Sequence, residues 1–411
     1  MNQTDKHALV LTFAVMDATN RQLFFRHIAQ TSPNPIGFEM VRAQGIYQYT
    51  ADGRQMVDLI SGFSVANIGH SHPQVVAAVK AQAEQYMHLI VYGEFIQQPQ
   101  VRYAKALTDH LPQGLNCVYF TNSGTEATEG AMKLAKRVTK RTQILSCTNS
   151  YHGSTQGALS MMGSEYWRNA YRPLLPGIQQ YAYGSWEMVA AINHNTAAVF
   201  VEPVQAESGV TTPPEGWLQA LREACNKHCA LLVFDEIQAG FGRTGKLWAF
   251  ELSGVVPDVL LLGKALGGGM PLGAFIAHES LMRTFTNNPV LGHISTFAGH
   301  PVSCAAGLAA FEVLLNSGVM DTLAVKETML QQYFATHFPE LPLQTAGLWG
   351  SIAFDSFDTN LKKVHACWDA GLITDWFLHA AHRLRIAPPL TITTAQWEQV
   401  LEQLGAALKA V

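Results

Sequence analysis

Charge of one sign is scarce in this sequence. Across 411 residues, 27 Lys and Arg face 31 Asp and Glu, a formal net charge of −4. A balance this close to neutral argues against a nucleic-acid surface or a polybasic membrane anchor. The densest basic run, Lys133, Lys136, Arg137, Lys140 and Arg141, falls near the end of a predicted helix. Cations complement the negative end of the backbone dipole there, so a solvated helix terminus is expected. Cysteine is scarce too, and the 6 present follow no disulfide or zinc rhythm. Cys225 and Cys229 flank His228 on an apparent helix, yet no second pair stands at a suitable spacing. No metal site is expected; reduced thiols in a cytoplasmic protein are. No run approaches the roughly 20 apolar residues of a membrane span. Residues 8–16 are apolar, but the stretch is short and no small-residue cleavage signal follows it. A helix packed on the body or on a partner subunit is expected there, rather than a signal peptide. Internal repeats and low-complexity linkers are missing as well.

What is present is apolar sequence in quantity, 48 % of the residues, spread along the length. That is enough to bury a sizeable core, in a chain too long for one core of ordinary size. Residues 46–59 read as strand, turn, strand around Ala51-Asp52-Gly53-Arg54. A helix is predicted from Pro73, a residue suited to a first turn, through Met87. From residue 100 to 300 helices alternate with short apolar strands at 117–121, 143–147, 197–201, 231–234, 259–262 and 274–277. Such runs suit a mainly parallel sheet buried on both faces. A long helix follows Pro301, and strand candidates at 350–354 and 384–386 belong to a smaller lobe. The expected fold class is α/β. Residues 71–305 form a large cofactor-binding domain, and 1–70 and 306–411 combine into a small one.

Ligands of open α/β sheets gather at the C-terminal edges of strands, which narrows the search. After 117–121 comes Asn122-Ser123-Gly124-Thr125-Glu126-Ala127, a small turn opening a helix. Free backbone N–H groups and the dipole favour an anion there; an ordinary cap by Ser123 or Thr125 is the plainer reading. After 143–147 comes Tyr151-His152-Gly153, where an aromatic ring is placed to lie against a planar ligand or to pack in the core. Asp235 closes the strand at 231–234. An acid at that position needs a cationic partner, and a pyridinium nitrogen, a metal or a helix N-terminus would each serve. Lys264 sits between an apolar strand and Gly267-Gly268-Gly269. Small neighbours admit another molecule, and partial desolvation would make the amine a nucleophile. A phosphate-binding lysine is the competing reading, but the GxxxxGK[ST] pattern is absent. Ser295 and Thr296 precede a helix, as caps or as hydroxyls for a phosphate. Together these edges describe a site for pyridoxal 5'-phosphate.

The same residues resemble a known family. Leu232-Val233-Phe234-Asp235-Glu236-Ile237-Gln238-Ala239-Gly240-Phe241-Gly242-Arg243-Thr244-Gly245, with Gly263-Lys264 downstream, is similar to the class III pyridoxal-phosphate aminotransferases. So are Ser123 to Ala127, Tyr151-His152-Gly153, Glu202-Pro203-Val204-Gln205 and Ser295-Thr296-Phe297. The resemblance implies a fold-type I transferase and a homodimer with shared active sites. It implies Lys264 as the covalent anchor and proton carrier, Asp235 on the pyridine nitrogen, Gln238 on the ring hydroxyl and Tyr151 on the ring face. It implies Gly124 and Thr125 on the phosphate, joined by Thr296 from the neighbouring subunit, with Ser123, His152 and Ser295 in the same cofactor site. The resemblance further implies that Glu207 and Arg385 act as a switch, Arg385 being masked for an amine-ended substrate and released for a carboxylate; a purely structural ion pair is the plainer reading. The implied activity moves an amino group, from a terminal amine or an amino acid, to an oxo acid such as 2-oxoglutarate or pyruvate. Acetylornithine and ornithine aminotransferases carry Arg where this chain has Ser154, and ornithine enzymes tend to place Tyr where it has Phe63. A hydroxyl does not replace a bidentate guanidinium. The stretch 152–160, with Pro173-Leu174-Leu175-Pro176-Gly177, is instead similar to the putrescine-type and other ω-amine members. The alternatives are an acetylornithine- or ornithine-type enzyme, an aminomutase or racemase of the same fold, and a non-catalytic binding protein.

Overall fold

Residues 18–411 are described by this computed structural model, so residues 8–16 and the helix expected there lie outside it. The strands begin with β1 (Met40–Gln44), β2 (Tyr47–Thr50) and β3 (Gln55–Asp58). The central set is β4 (Cys117–Thr121), β5 (Gln143–Cys147), β6 (Ile178–Tyr181), β7 (Thr196–Val201), β8 (Leu231–Asp235), β9 (Val259–Leu262) and β10 (Gly273–Ala277). Then follow β11 (Leu343–Thr345), β12 (Gly350–Ala353), β13 (Leu372–Ile373) and β14 (Arg383–Ile386).

The central strands form one 7-stranded sheet in the order β4-β10-β9-β8-β7-β5-β6. Every residue of β7, β8 and β9 is buried, the pattern of strands covered on both faces. The sheet is parallel except at β10, which runs antiparallel to both β4 and β9. The reason lies in the connection: the link from β9 to β10 is a tight 3-10 turn, Lys264–Gly267, with no crossover helix. Helix Gly124–Thr139 lies on the sheet through Ala127, Ala131, Leu134 and Ala135. A Cβ on Gly130 would come within 2.3 Å of the Phe275 ring, so only glycine lets this helix sit so close to β10.

The basic run at the end of that helix differs from the expected solvated terminus. Lys140 ends the helix in the left-handed region, φ 61°. Arg137, however, donates to the carbonyls of Thr284 and Asn288, and Arg141 to those of Thr196 and His228. These cations tie neighbouring segments to the helix end by satisfying their backbone carbonyls.

The expected helix from Pro73 ends at Gln85, before Met87. Helix Pro301–Asn316 is apolar nearly all round and packs between Pro73–Gln85 and Gln98–Thr108. The two ends of the chain meet in one sheet, where Leu372 of β13 pairs in parallel with Val57 of β3. Strands β11, β12 and β14 form a separate 3-stranded sheet that carries Arg385. Among the described residues no single helix is long and apolar enough to cross a membrane, and no cluster of His, Cys, Asp or Glu is placed to hold a metal.

Candidate active site

The C-terminal edges of β4, β5, β8 and β9 converge on a cavity of about 400 Å³. Gly124, Thr125, Tyr151, His152, Asp235, Gln238 and Lys264 all line it, joined by Ser154, Thr155, Glu202 and Ile237.

At one end stands the N-terminus of helix Gly124–Thr139. Ser123 does not line the cavity: its Oγ accepts from the Glu126 N–H at 3.3 Å and caps the helix. The Glu126 carboxylate reaches back to the Asn122 N–H at 2.9 Å. The first-turn N–H groups of Gly124 and Thr125 have no carbonyl within their own helix to pair with, and the dipole makes this a place for an anion. Thr125 Oγ1 lies 2.7 Å from Thr155 Oγ1, which in turn donates to Glu129 Oε1 at 2.6 Å. Gly153 has φ +124° and touches Thr125 so closely that a Cβ would sit 2.2 Å from its hydroxyl.

The floor is built from acids and one imidazole. Asp235 Oδ2 is 2.7 Å from His152 Nδ1, while Oδ1 accepts the Ile237 N–H at 2.9 Å. Burial pulls the His152 pKa down, but hydrogen bonding and charge from Asp235 and Glu202 outweigh it and leave it raised. Glu202 accepts from the Tyr151 and Ala206 N–H groups at 3.2 and 2.9 Å, and burial pushes its pKa up to about 7. The sequence reading missed Glu202 as a site residue. It follows the wholly buried β7 as Asp235 closes β8, so the same signal was there to find it.

Lys264 follows β9 with φ +49°, a left-handed conformation that a side-chain-bearing residue adopts at some cost. Its ammonium donates to Gln238 Oε1 at 2.7 Å. Burial lowers its pKa, with Glu207 and Asp235 opposing the shift. The Gln238 Nε2 and His152 Nε2 atoms are buried without hydrogen-bond partners. An unpaired amide donor beside a lysine, a carboxylate braced by a histidine and an anion cradle together fit pyridoxal 5'-phosphate.

The substrate candidates sit apart from the cavity lining. Arg385 is fully buried, with Nη1 and Nη2 at 3.2 and 3.0 Å from Glu207. Its guanidinium lies 5.1 Å over the Phe63 ring. Phe63 itself occupies a run of positive-φ residues, Ser61, Gly62, Phe63 and Ser64. Ser295 accepts from Asn122 Nδ2 at 2.9 Å, and Thr296 is exposed; neither lines this chain's cavity. Tyr151 hydrogen-bonds through its hydroxyl to Ser154 Oγ at 3.0 Å.

Known proteins resemble this chain in sequence and in fold. The chain is 37 % identical to the acetylornithine aminotransferase of Methanopyrus kandleri, over 90 % of this chain and 94 % of that one. It is 36 % identical to the putrescine aminotransferase of Pectobacterium atrosepticum, over 87 % and 79 %. The ornithine aminotransferase of Toxoplasma gondii, whose crystal structure shows PLP at partial occupancy in the active site, superposes with a TM-score of 0.87 at 28 % identity, over 94 % and 93 % of the two chains. A Virgibacillus transaminase shares the fold at a TM-score of 0.88 and 24 % identity, over 95 % and 98 %. The model of the class-III aminotransferases matches residues 28–408. With that match spanning nearly all of a chain whose strand edges assemble a pyridoxal-phosphate cavity, the protein belongs to the class-III aminotransferases and carries out pyridoxal-phosphate-dependent amino transfer.

Proposed function

We propose that this transaminase takes the amino group from a terminal amine, with a diamine of the putrescine type as donor, and passes it to an oxo acid. The observation that carries this reading is Ser154. It lines the cavity beside Tyr151, and among the described residues that line the cavity there is no arginine to grip a substrate carboxylate. The similarity to an acetylornithine aminotransferase keeps that donor as the second reading. A screen of putrescine, 4-aminobutyrate, ornithine, acetylornithine and lysine against 2-oxoglutarate and pyruvate decides between them. The highest kcat/KM should fall to putrescine; acetylornithine as the best donor would overturn the proposal.

Position supports a role for each residue. The Gly124 and Thr125 N–H groups bind the phosphate, and Tyr151 covers one face of the ring. Asp235, braced by His152, keeps a proton on the pyridine nitrogen, and Gln238 offers its free amide to the ring oxygen. Lys264 would hold the aldehyde end of the group through Nζ, and its amine would carry the proton taken from the donor carbon. Bound pyridoxal phosphate supplies the electron sink for that step. Glu207 masks Arg385 when a terminal amine enters.

We assign residues 71–305 to the cofactor domain and 1–70 with 306–411 to the small one, supported by the pairing of β13 with β3. The working form we propose is a homodimer in the cytoplasm. Its support is a set of exposed apolar side chains at 87–101 and 290–297, among them Ile96 at 95 % exposure, with Gln100 bonded to the Gly299 carbonyl between the two stretches. Ser295 and Thr296 lie in the second stretch, which suits residues that serve the neighbouring subunit's phosphate.

A further inference from the structure

Arg385 has a second carboxylate behind it. Its Nε lies 2.8 Å from Asp375 Oδ1, and the backbones of the two residues are joined by an Arg385 N–H to Asp375 carbonyl bond of 3.0 Å. The side chains of Arg385, Glu207 and Asp375 are only 1 %, 11 % and 12 % exposed. Phe377, 4.2 Å from the guanidinium, closes one face. One buried cation therefore faces two buried carboxylates, and the group carries a formal charge of −1. Among the described residues no other Lys or Arg forms an ion pair with either acid.

This changes what the Glu207–Arg385 pair does when it opens. With Glu207 alone as partner, turning that carboxylate aside would leave a bare guanidinium to attract a substrate carboxylate. With Asp375 fixed on Nε, Arg385 stays neutralised when Glu207 turns, and the freed Glu207 is then the unpaired buried charge. A buried anion of that kind takes a cation.

Resting on the amine-donor reading above, we propose that Asp375 is a positioning residue that sets specificity: by holding Arg385 neutral, it makes this buried group a receptor for a protonated amine, through Glu207, and a poor receptor for a second carboxylate.

The test compares the cofactor-loaded wild type with Asp375→Asn, which keeps the oxygen facing Nε and removes the charge. Glutarate, an unreactive dicarboxylate, is titrated by calorimetry, and KM is measured for 2-oxoglutarate, pyruvate and putrescine. Unmasking one charge at close range should tighten glutarate and lower KM for 2-oxoglutarate by at least roughly tenfold. KM for putrescine should rise by a similar factor, and kcat with pyruvate should hold. Simple structural damage would weaken every ligand. Parallel weakening, or no change, therefore overturns the proposal. Glu207→Gln provides a check that does not depend on the folding of the first variant: it should lose putrescine yet gain little affinity for glutarate, because Asp375 still neutralises Arg385. A large glutarate gain in Glu207→Gln overturns the proposal too. If the wild type accepts no terminal amine at all, the donor reading fails, while the glutarate titrations still decide the role of Asp375.

Discussion

Gly153→Ala tests whether the contact between the Tyr151-His152-Gly153 turn and the anion cradle governs cofactor affinity. The new Cβ would lie 2.2 Å from Thr125 Oγ1, 2.3 Å from its Cβ and 2.9 Å from its Cα. Ordinary contact begins near 3.4 Å, so the turn and the helix must part by more than about 1 Å. Thr125 has little room to yield, because its hydroxyl is held by Thr155 and Thr155 by Glu129. The backbone adds its own cost, since φ +124° lies outside the regions that side-chain-bearing residues use. Overpacking at about 1–3 kcal/mol and backbone strain of similar size make a total of about 2–5 kcal/mol. If the turn separates from the helix, the phosphate end and the ring end of the site move apart, and the cofactor dissociation constant rises at least roughly thirtyfold. Fluorescence titration of the apoprotein measures that constant, and a urea midpoint measures any share of the cost taken by the fold. Gly254→Ala is the control: φ is +69°, but nothing lies within 4 Å of the added carbon. A Gly153→Ala protein with unchanged affinity and unchanged midpoint would refute the reasoning.

Two further predictions concern the anchor and the acids. Lys264→Ala should abolish turnover and leave no residue for borohydride to couple to the cofactor, while circular dichroism stays that of the wild type; coupling at another position would refute the assignment. Glu236 accepts the Ala249 and Phe250 N–H groups at 2.6 and 2.7 Å, and burial pushes its pKa up to about 8 from 4.5. Between those values the folded chain holds a proton that the unfolded chain has released, so this group's contribution to stability falls as pH rises through that window. From pH 5 to 8 the wild type should therefore lose, relative to Glu236→Gln, on the order of a few kcal/mol. Urea midpoints at each pH measure the difference, and parallel pH profiles would sink the idea.

The cavity-lining residues named from the sequence were legible because each stands at or within a few positions of the end of an apolar run. Asp235 ends β8, Lys264 stands two positions after β9, and Gly124 opens the helix after β4. A buried parallel strand announces itself in sequence, and the rule that ligands gather at its C-terminal edge does the rest. Strands β1 and β6 were not read, because both sit at a sheet edge and carry polar residues such as Arg42, Gln44, Gln179 and Gln180. Asp375 could not be found that way. It follows β13, a strand of 2 residues that shows no periodicity, and its importance lies wholly in a partner ten positions further on. Phe63 was named from resemblance alone; nothing in the string Ser61-Gly62-Phe63-Ser64 signals a left-handed turn.

The same contrast explains why one loop dominates the resemblance. The segment after β8 carries Asp235 and Gln238 into the cavity, and a few residues later it sends Arg243 into the body of the protein. Arg243 is fully buried and donates to the carbonyls of Leu348 and Pro388 at 2.9 Å each and to Asn67 Oδ1 at 2.6 Å. Burial pulls its pKa down to about 9, with only Asp58 opposing, so the guanidinium stays there through its acceptors rather than through a salt bridge. Those acceptors come from both ends of the chain and flank the segments bearing Phe63 and Arg385. The loop that brings Asp235 and Gln238 to the cavity thus also ties down the backbone next to Arg385. A change at Arg243 would be felt at both, although its side chain does not line the cavity.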